Sequence, residues 1–190
     1  MAEKTTEMQV GVVIRRTPGV TRWAAWSWRA VAVLPGAGPA DWHEMRREAC
    51  AGGEAVEFHA ATCRVEMHRA ETEAYRVAIS DTPPSCWVIL RPSEDPADPH
   101  DVTVFGVTVS PFEAQDYADS GEEIVERVPM PAAMLAWVAD FVGSHHVDEP
   151  FVKRQRDKKR IDLTEDGKGD SRIRQVADVY RAPRKPERLH

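Results

Sequence analysis

The sequence predicts an α+β domain over residues 8–147, a curved, mostly antiparallel sheet of about seven strands with two helices on one face or end. A basic, largely disordered tail over 148–190 follows it. Three observations carry this expectation. Runs of β-branched and aromatic residues alternate at period two and stop at Pro/Gly turns. Two later segments open with Pro at the first helical position, and the second carries a broad apolar stripe at helical spacing. From Asp148 onward apolar periodicity fades and bases gather, the composition of a chain that cannot bury enough apolar surface to fold alone.

In chain order, Gln9–Arg16 is β-branched and ends at Thr-Pro-Gly, a first strand and turn. Trp23–Gly36 is the second strand and pairs with the first as an antiparallel hairpin. At period two it sets Trp26, Trp28, Ala30, Ala32 and Leu34 on one face and Ser27, Arg29, Val31 and Val33 on the other. Residues 35–53 read as a loop with one or two helical turns, capped by Asp41, with Trp42 and Met45 inward. From Ala55 to His68 the alternation changes phase: Val56 and Phe58 share one parity, Cys63, Val65 and Met67 the other. A bulge near Ala60-Ala61-Thr62 reconciles them. Arg69–Thr72 is then a polar turn, and Tyr75, Val77 and Ile79 alternate along a returning strand.

Cys86–Arg91 begins with five apolar residues in a row, as in a central strand covered on both faces. Residues 92–101, with three prolines and four acids, read as an exposed, mobile loop. Val102–Val109 is another strand, in which Gly106 marks a bulge or a close backbone approach. Ser110-Pro111-Phe112-Glu113 has the form of a capping box with Pro at the first helical position, so a helix of about two turns runs to Asp119 and ends at Ser120-Gly121. Glu122–Val128 is a last, partly exposed strand. Met130-Pro131 starts the second helix, whose stripe of Met134, Leu135, Val138, Phe141 and Val142 lies across the sheet.

Composition bounds the class. With 190 residues and 42% hydrophobic content, the body is large enough to bury about two thirds of its unfolded surface without disulfides or metal. Cys50, Cys63 and Cys86 are too few and scattered for a disulfide framework, and an odd count fits a reducing compartment. The N-terminus is polar and no apolar run approaches the roughly 20 residues of a membrane span, so the expected location is cytoplasmic. The net charge of −6 divides into −12 for residues 1–150 and +6 for 151–190. Body and tail attract each other at low salt, and the tail equally suits an acidic partner.

No chemical motif rises out of the pattern. His59 and Cys63 lie about 13 Å apart along a strand, too far to share an ion without a bulge. His145-His146 at a helix end suits the last carbonyls better than a metal. Cys63 and Cys86 sit in apolar strands, where a thiol stays neutral and inert. No Gly-x-Ser-x-Gly elbow, Walker loop or Gly-x-Gly-x-x-Gly is present. The Lys153–Arg160 run lacks the aromatic interleaving of single-strand binders and belongs to an acidic chain, so a protein-binding segment is at least as good a reading as a nucleic-acid one. The tryptophan strand reads either as core or as a binding platform, core being the commoner role for Trp at this spacing.

Gly11–Ile14 with Trp26–Gly36, Glu71–Tyr75, Trp87–Arg91, Ser110–Tyr117 and Glu149–Arg154 together resemble the domain-of-unknown-function family 3305 over about residues 8–156. That family has no established activity, so no catalytic residue carries over. Its members are encoded near molybdenum-dependent formate dehydrogenases, which implies an accessory or assembly role for such an enzyme. The leading expectation is a non-catalytic protein that binds formate dehydrogenase subunits or a maturation factor, with no cofactor of its own. Its docking segment would be Phe151, Lys153, Arg154, Arg156, Lys158, Lys159 and Arg160. The alternatives are a small-ligand or cofactor-handling domain, with a pocket between the sheet and helix 131–143, and a nucleic-acid-associated regulator that uses the basic tail.

Overall fold

The computed structural model describes residues 5–19, 24–95 and 97–147. Its strands are β1 (Thr5–Pro18), β2 (Trp26–Pro35), β3 (Asp41–Cys50), β4 (Gly53–His68), β5 (Ser85–Pro92), β6 (Val102–Thr108) and β7 (Ile124–Pro129). Its helices are α1 (Thr72–Ser80, after a 3₁₀ turn at Arg69–Glu71), α2 (Pro111–Ser120) and α3 (Ala132–His145). None of these helices is long and apolar enough to cross a membrane.

The strands build two antiparallel sheets, not the expected single one: β2-β1-β4-β3 and β6-β5-β7. Strand β5 shows why. Cys86, Val88 and Leu90 enter the main core at 0% exposure, and Ile89, pointing the other way, is buried as well. A strand apolar on both faces needs a cover on each. The four-stranded sheet shares that core on one side, and α2 packs against β5. From β1, β2 and β4 the core takes Val10, Val12, Ile14, Val33, Val65 and Met67, and α3 closes it with Met134, Val138, Phe141 and Val142.

The expected bulge in β4 is present. Val12 pairs with Ala61 and Val13 with His59, so Ala60 is the extra residue, and Val56, Phe58, Val65 and Met67 are all buried. A second bulge was not foreseen. Val13 pairs with Ala32 and Ile14 with Ala30, leaving Val31 over. The slip exchanges faces, so Ala30 and Val33 are both buried although they differ in parity. In β6 the extra residue is Phe105, beside Gly106.

Two elements differ in type. Residues 41–50 form strand β3, not a loop with helical turns, and Asp41 caps nothing. The strand pairs with β4 through a hairpin whose turn, at Gly52 and Gly53, has φ of +88° and +150°, backbone that favours glycine. Trp42 packs on the core, whereas Met45, the extra residue opposite β4, is 50% exposed. Residues 72–80 form helix α1, not a returning strand, which raises the helix count from two to three. Ala74, Tyr75 and Ala78 recur at i, i+1 and i+4 and are buried, while Val77 is exposed. In so short a run the same residues satisfy both periods, and packing decides.

Candidate functional site

Two regions bring together side chains that packing alone does not explain. The first is the end of the four-stranded sheet nearest Pro18. Cross-strand partners share a face, and the register places Trp28, Arg16, Val56 and Arg47 in one row across β2, β1, β4 and β3. Ala30, Ile14, Phe58 and Glu44 form the next row, nearer the core. On this face the rings gather. Trp28 meets Trp42 edge-on at 5.6 Å and Phe58 at 6.3 Å, and His100 stacks on Trp42 at 3.7 Å with the planes 5° apart.

The segment that delivers His100 is the exposed loop the sequence predicts, and its described residues are held by side-chain hydrogen bonds. Trp28 Nε1 donates to Asp101 Oδ2 (2.9 Å), the His100 backbone N–H donates to Asp98 Oδ1 (2.8 Å), and Ser93 Oγ donates to Asp98 Oδ2 (3.0 Å). The His100 N–H, then the Ser93 hydroxyl, hold the Asp98 carboxyl below its ordinary range. In the tryptophan strand Ala30 and Val33 are buried, Trp28 packs partly buried against the core, and Trp26, 36% exposed, lies at its margin under the Arg16 guanidinium.

The second region lies between α1 and α2, where Glu71, Glu73, Ala74, Phe112, Glu113 and Asp116 line an open groove of about 290 Å³. Helix α2 starts on Ser110, whose hydroxyl accepts from the Glu113 backbone N–H (3.3 Å), as the capping box predicts. The reciprocal half is rerouted: Thr108 Oγ1 donates to Glu113 Oε2 (2.5 Å) and accepts from the Ser110 N–H (3.0 Å). Across the groove, Tyr75 OH donates to Glu71 Oε2 (3.1 Å) and accepts from the His68 N–H (3.0 Å). Burial first, then the neighbouring Glu71 and Glu113 carboxylates, push the Tyr75 phenol well above its ordinary range, so it stays neutral. Glu73 pairs with Arg76 (3.0 Å) and lies 3.6 Å from His146 Nε2. Among the described residues Glu71, Glu113 and Asp116 have no cation within ion-pair distance. Phe112 stands 56% exposed beside them.

These features were not singled out from the residues themselves. The available signal was that Glu71–Tyr75 and Ser110–Tyr117 are two of the blocks that carry the family resemblance, and they converge here. For Arg16 the signal was its parity with Val10, Val12 and Ile14, all inward. The docking residues expected from the sequence, Phe151, Lys153, Arg154, Arg156, Lys158, Lys159 and Arg160, lie outside the described residues.

The residues weighed for chemistry are used structurally. Burial raises the Cys63 thiol and pushes Cys86 up to about 12, so neither is a thiolate near neutral pH. Thr62 Oγ1 donates to the Gly38 carbonyl (2.6 Å), so His59 Nε2, 3.0 Å away, is the donor to Thr62. A Cβ at Gly11 would stand 2.3 Å from that nitrogen, so a larger residue there would displace the His59 ring from Thr62. His145 Nδ1 lies 3.0 Å from the Phe141 carbonyl, the helix-end contact expected of it. No group of three or more His, Cys, Asp or Glu among the described residues is placed to hold a metal.

The model of a family described as "Protein of unknown function (DUF3305)" matches residues 9–155. No curated protein and no solved structure matches the chain.

Proposed function

We propose that this chain, which belongs to the DUF3305 family of proteins of unknown function, is a non-catalytic accessory protein that works by protein–protein contact. The partner we propose, a cytoplasmic molybdenum-dependent formate dehydrogenase or a factor that matures it, comes from the family resemblance. The contact reading is supported by one observation above others: Phe112, a large ring left mostly in water at the start of α2, stands beside three carboxylates that have no cation within ion-pair distance among the described residues. An apolar anchor with polar groups around it is the usual make-up of a protein-binding surface. A partner segment with one apolar side chain and two or three bases would fit it. Tyr75, kept neutral by burial, serves at the groove as a hydrogen-bonding group between Glu71 and the His68 backbone.

The ligand-domain alternative fares worse at the place where it was expected. The space between the sheet and α3 is filled by Met134, Val138, Phe141 and Val142, none more than 7% exposed. The nucleic-acid alternative rests on bases outside the described residues.

The test is affinity purification of the tagged full chain from its native host growing on formate, run beside Phe112→Ala and a chain ending at Glu149. Recovery of molybdoenzyme subunits or a maturation factor supports the proposal. Loss with Phe112→Ala assigns docking to the groove, and loss on truncation assigns it to the basic tail. Recovery of no stable protein partner overturns it.

A further inference from the structure

We propose that Arg16, clamped against the rings of Trp26, Trp28 and Phe58, anchors a binding site for a small oxyanion, a carboxylate or phosphate carried by a low-molecular-weight ligand. Its guanidinium carbon lies 4.2 Å from the Trp26 ring centroid, 5.8 Å from Trp28 and 5.6 Å from Phe58. Three ring faces therefore fix the plane of the group. No acceptor does so: Nε is buried without a hydrogen bond, and among the described residues no carboxylate stands within ion-pair distance of Arg16.

The neighbouring arginines behave differently. Arg47, in the same row two strands away, donates through Nε and Nη2 to Glu44 (2.9 and 2.8 Å) and through Nη1 to Glu54 (2.7 Å). Arg15, on the opposite face of β1, lies between Glu48 (3.8 Å) and Glu57 (3.6 Å). Glu44 does feel Arg16, but Arg47 is the main cause of its lowered pKa and occupies both its oxygens. Arg29, cross-strand from Arg15, also lacks an ion pair but is exposed to water. Among the described arginines of this end, Arg16 is the one that is half-buried without a counter-charge.

The orphaned Nε of half-buried Arg16 is costly, and the two Nη nitrogens, which are not among the buried unsatisfied atoms, are open to an anion. Because the rings already hold the planar fork, little side-chain freedom is lost when two parallel N–H bonds form to a carboxylate or phosphate. The anion we infer is small because residues 1–150 carry a net charge of −12, which repels a polyanion, whereas one local cation still attracts a single small charge. Trp28, Trp42, Phe58 and His100 wall the site on the core side, and Trp26 forms its open margin.

The test uses the full chain, with inorganic phosphate and succinate as separate probes against potassium chloride at matched ionic strength. Intrinsic tryptophan fluorescence and calorimetry are the readouts. A saturable response to phosphate identifies a phosphate ligand, and one to succinate a carboxylate. In either case Arg16→Met should abolish it, and Arg16→Lys, which keeps the charge but loses the fork, should weaken it about tenfold. If Arg16→Met does not fold, as judged by circular dichroism, Arg16→Lys and Trp26→Ala carry the comparison. No response beyond that to chloride, or responses in the variants equal to the parent chain's, overturns the proposal. No protein partner is needed for this measurement, so its failure leaves the accessory reading standing.

Discussion

The two sheets treat their strands differently. The three-stranded sheet is made of strands of 8, 7 and 6 residues, and its central strand is buried on both faces, with Cys86, Val88, Ile89 and Leu90 at 2% exposure or less. The four-stranded sheet has strands of 14, 10, 10 and 16 residues. At about 3.3 Å per residue its longest strand is roughly twice the length of β5, so its inner face runs past its partner. The overhang has to be finished by other means: ring stacking, the segment that carries His100, and Arg16 laid over Trp26. The smaller sheet has charged groups too, but its arginines are paired: Arg91 with Glu123 (2.7 Å) and Arg127 with Asp81 (2.8 Å). A layer that outruns its cover keeps polar and aromatic groups half in contact with water, and that is where an unpartnered cation is found.

The comparison predicts a gradient of mutational cost. Leu90→Ala, at a fully buried position of β5, should cost about 2–5 kcal/mol, since it loses transfer energy and leaves a cavity between close-packed layers. Urea denaturation followed by circular dichroism measures this. Trp42→Ala on the overhang removes a larger side chain from a half-buried place where water can re-enter. It should cost less than full burial of its area would imply, about 1–3 kcal/mol. If Trp42→Ala proves as costly as Leu90→Ala, the overhang is ordinary core and the distinction fails.

A pH profile separates the sheets in another way. Burial of Cys86 in β5 raises its folded pKa to about 12, above an unfolded value of about 8.5. The stability due to the neutral thiol is therefore complete below about pH 8.5 and is lost as pH rises toward and through the folded value. Cys86→Ala should flatten that alkaline decline. Cys63, on the larger sheet and partly exposed, is raised for the same reason, and its replacement should flatten the decline less. Stability measured from pH 8 to 10.5 on the parent chain and both variants decides this. An unchanged slope in Cys86→Ala would mean that the thiol is not the group responsible.

Legibility in the sequence followed the same division between local and non-local. Strands β1, β5 and β6 and helices α2 and α3 were readable because a strand period, a capping residue or a helical stripe is written within ten or so residues. The bulge at Ala60 was readable because the parity of buried residues switches within β4 itself. Strand β3 was not, because none of its ten residues is buried, so no alternation marks it. It is a strand by virtue of its pairing with β4. Tyr75, Val77 and Ile79 misled because three apolar residues at spacing two fit a strand as well as a helix. The separation into two sheets depends on which strands pair, and no single segment states that. The groove unites Glu71 and Glu113, which are far apart in the chain, and only the packing of α1 beside α2 brings them to one place.

The smallest stability effect is expected at the groove. Phe112 makes its helix-start contribution through backbone geometry, and its ring, mostly in water, has little burial to lose. Phe112→Ala should therefore shift stability by no more than about 0.5 kcal/mol, and melting with matched circular dichroism spectra checks it. The contrast with Trp42 is the informative part. Both are aromatic residues near an element boundary, and a fold selected only for stability would have no reason to keep the ring whose removal costs nothing. If Phe112→Ala melts with the parent chain yet loses the protein partner in the purification experiment, the ring is there for binding. If it destabilises the chain by 2 kcal/mol or more, the ring supports α2 and the groove loses its claim to be a docking surface.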